Sequence, residues 1–339
     1  MKVSDLGEFG LIERLAARLG ASRAPASDRL VLGIGDDAAV WRSDAGAAIA
    51  TTDTLVAGVH FLPETCRWRD AGWKALAVNL SDVAAMGGTP EFALVTLGLP
   101  ADAVVEQIDE LYAGLAEAAE TYGVTIAGGD IVRAAVFFVT VALFGRAEVD
   151  SNGEPLVLRR DAARAGDVIA ATGALGGAAG GLRLPRGGGG DSEVARRLVE
   201  RQARPRPRVE AGRAAIAAGL RCAIDVSDGL LQDLGHICRA SGLGAAVRSE
   251  SLPIEPGLPE TLGAGEALRL AATGGEDYEL LLTGGRDQIE ELTRRINAPL
   301  TAIGEMTPGE PRARLVDASG SEIAFDEPGW DHLRSGERS

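Results

Sequence analysis

Apolar residues recur with two periods along the chain, and each period predicts an element. Leu11, Ile12, Leu15 and Leu19 sit at helical spacing over residues 7–20, with Ser4 or Asp5 as the cap. Strand-like runs follow at 29–34 and 47–52. Residues 68–86 read as a helix that carries Asp82 and ends in a Gly-Gly-Thr-Pro break. EFALVTLGL (91–99) reads as a strand, and Val104, Ile108, Leu111 and Leu115 line one face of a long helix over 101–121. VTIAGGD (124–130) reads as a strand running into a turn, and VFFVTVALF (136–144) as a further strand. The pattern then restarts. Residues 167–177 read as strand, glycine turn and helix start, and 184–191 as a flexible loop. RPRPR (204–208) is a stiff basic break before a helix at 208–219. A strand at 221–229 enters a helix at 228–241, and a strand at 278–284 precedes a helix at 287–296. The restart places a boundary within 146–160 and predicts domains 1–148 and 149–334, with 335–339 as a mobile tail. Both halves mix strands and helices, so the predicted class is α/β or α+β.

Composition narrows the partners. The chain has 339 residues, 46% of them hydrophobic, enough for a large core. A net charge of −15 argues against a nucleic-acid backbone or an anionic membrane as the main partner. Lysine occurs only at Lys2 and Lys74, so any bound phosphate must be neutralised by metal, Arg or backbone amides. The three cysteines, Cys66, Cys222 and Cys238, form no CxxC and fit a reduced, cytoplasmic protein. MKVSDLGEFG has no apolar segment of the kind a signal peptide needs. The longest apolar stretch, 134–145, is far short of the roughly 20 residues of a spanning helix.

Acidic residues end several apolar runs, framed by Gly, Ser or Thr. The places are GIGDD (33–37), TTD (51–53), NLSD (79–82), AGGD (127–130), DVSD (225–228) and GGED (274–277). Each has a plain alternative. Asp36-Asp37 suits a turn with a capping aspartate, Asp82 a solvated helix residue, and Asp228 a helix N-cap. Alternation along the strand predicts that Asp225 and Ser227 face one ligand. The Gly-rich ATGALGGAAGGL (171–182) suits a phosphate cradle or a small-residue packing surface, and lacks the Lys and Ser/Thr of a P-loop. Carboxylate and hydroxyl oxygens are the donors Mg²⁺ prefers. Six such sites together predict one acidic basin holding metal-bound phosphate.

GEFGLI, GIGDDAAV, TTDTLVAGVHF, KALAVNLSDVAAMGG, AGGD, IDVSDGL, GGEDYEL and GWDH run from Gly7 to His332. Together they resemble the thiamine-monophosphate kinase family, of the aminoimidazole ribonucleotide synthetase-like superfamily. The resemblance implies a two-domain fold in a homodimer whose N-terminal strands form a shared barrel, with a C-terminal α/β domain completing the site. It implies ATP-dependent phosphorylation of thiamine monophosphate to thiamine diphosphate, with several Mg²⁺ ions between nucleotide and acceptor. It makes Asp37, Thr51, Thr52, Asp53, Asp82, Asp130, Asp225 and Asp228 metal-ligand candidates. Tyr112, the Gly128-Gly129 turn, Asp130, Arg160 and Ser227 become ATP contacts, and His60, Glu276 and Trp330 contacts to the thiamine phosphate. No catalytic acid or base is expected, because the acceptor phosphate is already largely ionised at neutral pH. Within the superfamily, selenophosphate synthesis would want a reactive Cys near the N-terminus, and the first cysteine is Cys66. The hydrogenase maturation factor would want a C-terminal cysteine, and this chain ends SGERS. TTDTLVAGVHF argues against aminoimidazole ribonucleotide synthesis. A non-catalytic nucleotide- or metal-binding protein is the alternative of a different class. Four consecutive glycines in 184–191 read as a mobile connector or lid.

Overall fold

The structure is a computed structural model that describes residues 11, 14–15, 17–20, 30–32, 40–41, 46–64, 66–184, 192–326 and 329. The chain forms two compact units. One is Met1–Val83 with Thr89–Pro155, and the other is Ala84–Gly88 with Leu156–Ser339.

In the first unit, Leu11 and Leu15 are buried helical residues, and Arg14 grips Asp109 with two prongs, Nε donating to Oδ1 at 2.8 Å and Nη2 to Oδ2. β1 (Leu30–Leu32) and β2 (Val40–Trp41) pair antiparallel. There follow β3 (Ala48–Val56), α1 (Trp68–Ala85), β4 (Thr89–Leu99), α2 (Val105–Tyr122), β5 (Thr125–Arg133) and β6 (Phe138–Arg146). The four long strands form one sheet in the order β3-β6-β4-β5, antiparallel except for β4–β5. Val139, Val141 and Leu143 alternate with half-exposed residues along β6, so one face of the sheet is core. α1 and α2 cross where both lack a side chain. A Cβ on Gly72 would lie 1.8 Å from the Leu111 carbonyl oxygen, and one on Gly114 1.8 Å from that of Arg69. The two backbones therefore touch, a separation only glycine allows.

β7 (Glu148–Val149) and β8 (Pro155–Leu156) make a separate two-stranded sheet. The second unit continues with β9 (Val168–Thr172), α3 (Gly177–Arg183), α4 (Glu193–Ala203), α5 (Val209–Ala217), β10 (Cys222–Asp225) and α6 (Leu230–Ser241). Then come β11 (Gly244–Arg248), α7 (Leu258–Leu262), α8 (Ala264–Thr273), β12 (Leu280–Gly284), α9 (Arg286–Arg295), β13 (Leu300–Thr307), β14 (Ala313–Val316) and β15 (Glu322–Ile323). Seven strands form one sheet, ordered β10-β12-β9-β13-β11-β14-β15, antiparallel except for β11–β14. Its core joins Ile169, Ile224 and Ile303 from the strands to Leu234 and Ile237 of α6. Mixed α/β architecture in two units is thus what the chain forms. Among the described residues no helix is long and apolar enough to cross a membrane.

Two sequence expectations need correction. TTD and AGGD lie inside strands, since β3 runs to Val56 and β5 to Arg133. Gly128-Gly129 is therefore extended strand, not a turn. Both strands are edges of the sheet, where a charged side chain reaches water without breaking a ladder. Gly129 is needed for close approach, because a Cβ there would lie 1.8 Å from the Val95 carbonyl oxygen.

Candidate functional site

Strand register sorts the first unit's candidates onto two faces. Asp53 pairs with Val141 and Val141 with Val95, so Asp53 and Thr51 share the core-side face. Thr51 Oγ1 donates to Asp82 Oδ2 of α1 at 2.5 Å, which joins strand and helix. Thr54, Thr140, Thr96 and Asp130 pair in succession across all four strands, a polar row on the other face. Thr54 and Thr140 hydroxyls meet at 2.7 Å, and Thr52 lies on this face too. Asp53 and Asp130 are both exposed, at opposite edges of the sheet. Just beyond β3, Phe61 stacks edge-on against Trp68 and Phe137, with ring centroids 5.9 and 6.0 Å apart. That cluster fixes the turn bearing His60, whose Nδ1 accepts the Val56 amide at 3.0 Å. Tyr112 is 6% exposed within α2, and burial pushes its hydroxyl well above the usual phenol range.

The second unit brings DVSDG, GGEDYE and the glycine-rich loop together. The Val226 amide donates to the Glu279 carbonyl at 2.8 Å, and the Tyr278 amide returns to the Val226 carbonyl at 2.9 Å. The Glu276 amide donates to the Ser227 carbonyl at 2.8 Å. Glu276 and Tyr278 take positive φ of 70° and 50°, the two non-glycine residues to do so among those described. Strained backbone of this kind persists only where its surroundings hold it. Alternate side chains supply that hold. Asp277 accepts the Gly176 amide at 2.6 Å and the Ala178 amide at 3.0 Å. Glu279 takes both prongs of Arg208 at 2.6 Å and the Thr172 hydroxyl at 2.6 Å. Gln202 Nε2 reaches Glu276 Oε2 at 3.3 Å. The loop before α3 is thus no open phosphate cradle, since Asp277 already occupies two of its amides. Burial pushes the Asp277 carboxyl up to about 7.

DVSDG also departs from its sequence reading. β10 ends at Asp225, so strand alternation does not reach Ser227. The N-cap position of α6 is Gly229, not Asp228. Capping is done from inside the helix by Asp233, which the sequence reading missed: Oδ2 accepts the amides of Ser227, Asp228 and Gly229 at 3.0, 3.0 and 3.1 Å. Burial, together with the charges of Asp225 and Asp228, pushes the Asp233 carboxyl up to about 8. Three carboxyl groups therefore crowd this turn. His236, one turn along α6, feels Asp228 on one side and Arg160 and Arg239 on the other; burial and the two arginines depress its pKa. Arg160 is exposed, and its carbonyl accepts the Ser241 hydroxyl at 2.9 Å. Gly329 closes on the same turn, since a Cβ there would lie 2.6 Å from the Asp228 carbonyl oxygen. Asp37 and Trp330 lie outside the described residues, as do Asp36 and the glycine run of 184–191. The candidates are oxygen donors throughout, as Mg²⁺ requires, although among the described residues no three acidic, His or Cys side chains are arranged around one ion position. All three cysteines are free thiols.

Comparison with known proteins places this architecture. Residues 35–147 match the AIR synthase related protein, N-terminal domain, and 164–316 the AIR synthase related protein, C-terminal domain. A thiamine-monophosphate kinase from Salmonella typhimurium is 38% identical over 96% of this chain and 98% of its own length. The crystal structure of thiamine-monophosphate kinase from Stenotrophomonas maltophilia K279a superposes with a TM-score of 0.80 at 39% identity, covering 91% of this chain and 96% of that one. AaThiL complexed with AMPPCP and TMP gives a TM-score of 0.74 at 32% identity, covering 98% and 99%. Near-complete coverage at these identities, together with both domain matches, establishes that the chain belongs to the thiamine-monophosphate kinase family and is a kinase.

Proposed function

We propose that this chain transfers the γ-phosphoryl group of ATP in line to the phosphate of thiamine monophosphate, giving thiamine diphosphate. The observation that carries this reading is full-length similarity to relatives of that name, one of them solved with AMPPCP and TMP. Mg²⁺ is held by Asp37, Thr51, Thr52, Asp53, Asp82, Asp130, Asp225 and Asp228. Bound Mg²⁺ supplies charge neutralisation between two polyanions, the main obstacle to phosphoryl transfer. The chain's residues do the positioning. Thr51 orients the Asp82 carboxylate by its hydrogen bond. Tyr112, Gly128, Gly129, Asp130, Arg160 and Ser227 hold the nucleotide. His60, Glu276 and Trp330 hold the acceptor, with the Trp330 indole stacking on its ring. No side chain acts as acid or base.

The reading includes a cytoplasmic homodimer whose N-terminal strands close into one barrel. The N-terminal domain (1–148) binds metal and ATP and dimerises, and the C-terminal domain (149–334) completes the site. Two features of the first unit support the dimer. Ala50, Thr52, Phe138, Ala142, Phe144 and Val132 leave one sheet face half-buried or exposed. Asp53 and Asp130 also stand three strand spacings apart, about 14 Å, too far to share one ion within one sheet. A second copy pairing edge to edge brings β3 of one protomer beside β5 of its partner, the two strands that carry these carboxylates.

Mass spectrometry after mixing the protein with ATP, Mg²⁺ and thiamine monophosphate tests the reaction, with free thiamine as control. Thiamine diphosphate formed only from the monophosphate is expected. No product, with ATP binding intact, moves the substrate elsewhere.

A further inference from the structure

The entry to α6 is built like an anion site and is already full. Ser227, Asp228 and Gly229 turn three consecutive amides toward one point, and Gly229 has φ 128° to make that possible. Successive amides converging in this way form a nest that attracts phosphate or carboxylate. Here the occupant is the chain's own Asp233, only 2% exposed. Its amide in turn donates to the Gly229 carbonyl at 2.9 Å, so residue and turn are locked from both ends. Asp225, 4% exposed, and Asp228 stand close enough for their charge to act on it. With the amides spent, the side-chain oxygens that the turn offers a ligand belong to Asp225, Ser227 and Asp228.

We propose that Asp233 is a positioning residue that converts this turn from a phosphate nest into a cation holder, fixing Asp225, Ser227 and Asp228 about the ion while denying α6 to the substrate phosphates. The role rests on the proposed assignment of Asp225 and Asp228 as metal ligands. It differs from a plain helix cap in what it controls. A cap sets stability alone. Asp233 also sets which sign of ligand the turn accepts.

The test uses the full chain free of nucleotide, with Asp233→Ala, Asp233→Asn and Asp225→Asn. Hydrogen exchange read without metal should show the amides of 227–229 opening about tenfold faster in Asp233→Ala, the loss of roughly one net hydrogen bond. Inorganic phosphate or formate should then protect those amides and raise the melting temperature of this variant, and do neither in the wild type. Asp233→Asn, which keeps an accepting oxygen, should exchange nearly as the wild type does. Titration with Mn²⁺ alone should show affinity about tenfold weaker in Asp233→Ala, the usual cost of removing a group that orients a ligand. Wild-type exchange in Asp233→Ala, or emptied amides that take up no phosphate or formate, overturns the proposal. Mn²⁺ affinity lowered by Asp225→Asn and unchanged by Asp233→Ala also overturns it. Mn²⁺ affinity unchanged by Asp225→Asn sinks instead the metal assignment of this turn, and the exchange experiment still decides whether Asp233 fills the nest. Should Asp233→Ala fail to fold unaided, the same variant refolded in formate reads the same amides, with unprotected amides counting against the proposal.

Discussion

The first unit presents Asp53 and Asp130 on strands, and the second presents Asp228 and Glu276 on turns. Asp53 and Asp130 stand on edge strands whose ladders fix direction by register alone. Nothing else has to hold the backbone, and both side chains are exposed. In the second unit Asp225 ends β10, while Ser227, Asp228 and Glu276 sit on irregular backbone. That backbone is held by other acids: Asp233 behind DVSDG, and Asp277 and Glu279 behind GGEDYE. A strand needs only its neighbours to aim a ligand. A turn needs a second layer of charge, which is why Asp233, Asp277 and Glu279 turn inward.

The contrast predicts where substitutions injure the fold. The largest loss of stability belongs to Glu279→Ala, which takes a buried, two-pronged carboxylate from Arg208 and the acceptor from the Thr172 hydroxyl. Chemical denaturation should show about 3 kcal/mol lost. A loss below about 1 kcal/mol would mean the turn holds without its anchor. Gly72→Ala comes next at about 2 kcal/mol, because the added methyl drives α1 off the α2 backbone. Its cost lies in helix packing, so ion binding at saturating Mg²⁺ should survive in whatever fraction folds. Thr51→Val should cost about 1 kcal/mol through the lost hydrogen bond to Asp82. Smallest is Asp53→Asn, within about 0.5 kcal/mol of wild type if the strand alone aims the residue. A large loss there would erase the distinction between the units.

Asp277 sharpens the comparison through pH. Its folded-state pKa, about 7, lies above the ordinary carboxylate value, so the stability it contributes is complete in acid and is lost as pH rises through 7. Asp277→Asn has no such titration. The melting temperature of the variant minus that of the wild type should therefore rise between pH 5 and about 8 and then level off. A difference that stays flat or falls over this range contradicts the burial of an ionisable group behind GGEDYE.

The sequence made the long elements legible because periodicity and burial agree there. α1, α2 and β6 lie within a few residues of the expected spans. α4 escaped because EVARRLVERQA buries only Ala195 and Leu198, too few to mark a period. β11 and β13 escaped because glycine and alanine weaken strand patterning. The acidic motifs were legible as a set, yet their local shapes were not. Polar residues predict ends for β3 and β5, whereas edge strands carry charge without interruption. Alternation predicts that Ser227 continues a strand, whereas Asp233 takes the amides a ladder would use. An acid four residues into a helix that opens on Ser-Asp-Gly was the available signal, and it becomes readable once backbone donors are counted.

The most direct test of the account is the turnover of Asp53→Ala across a Mg²⁺ titration, with the melting temperature followed alongside. Metal-held transfer predicts a fall of about 10²–10³-fold that excess Mg²⁺ does not restore, in a protein that melts like the wild type. Near-normal turnover at saturating Mg²⁺ would contradict it.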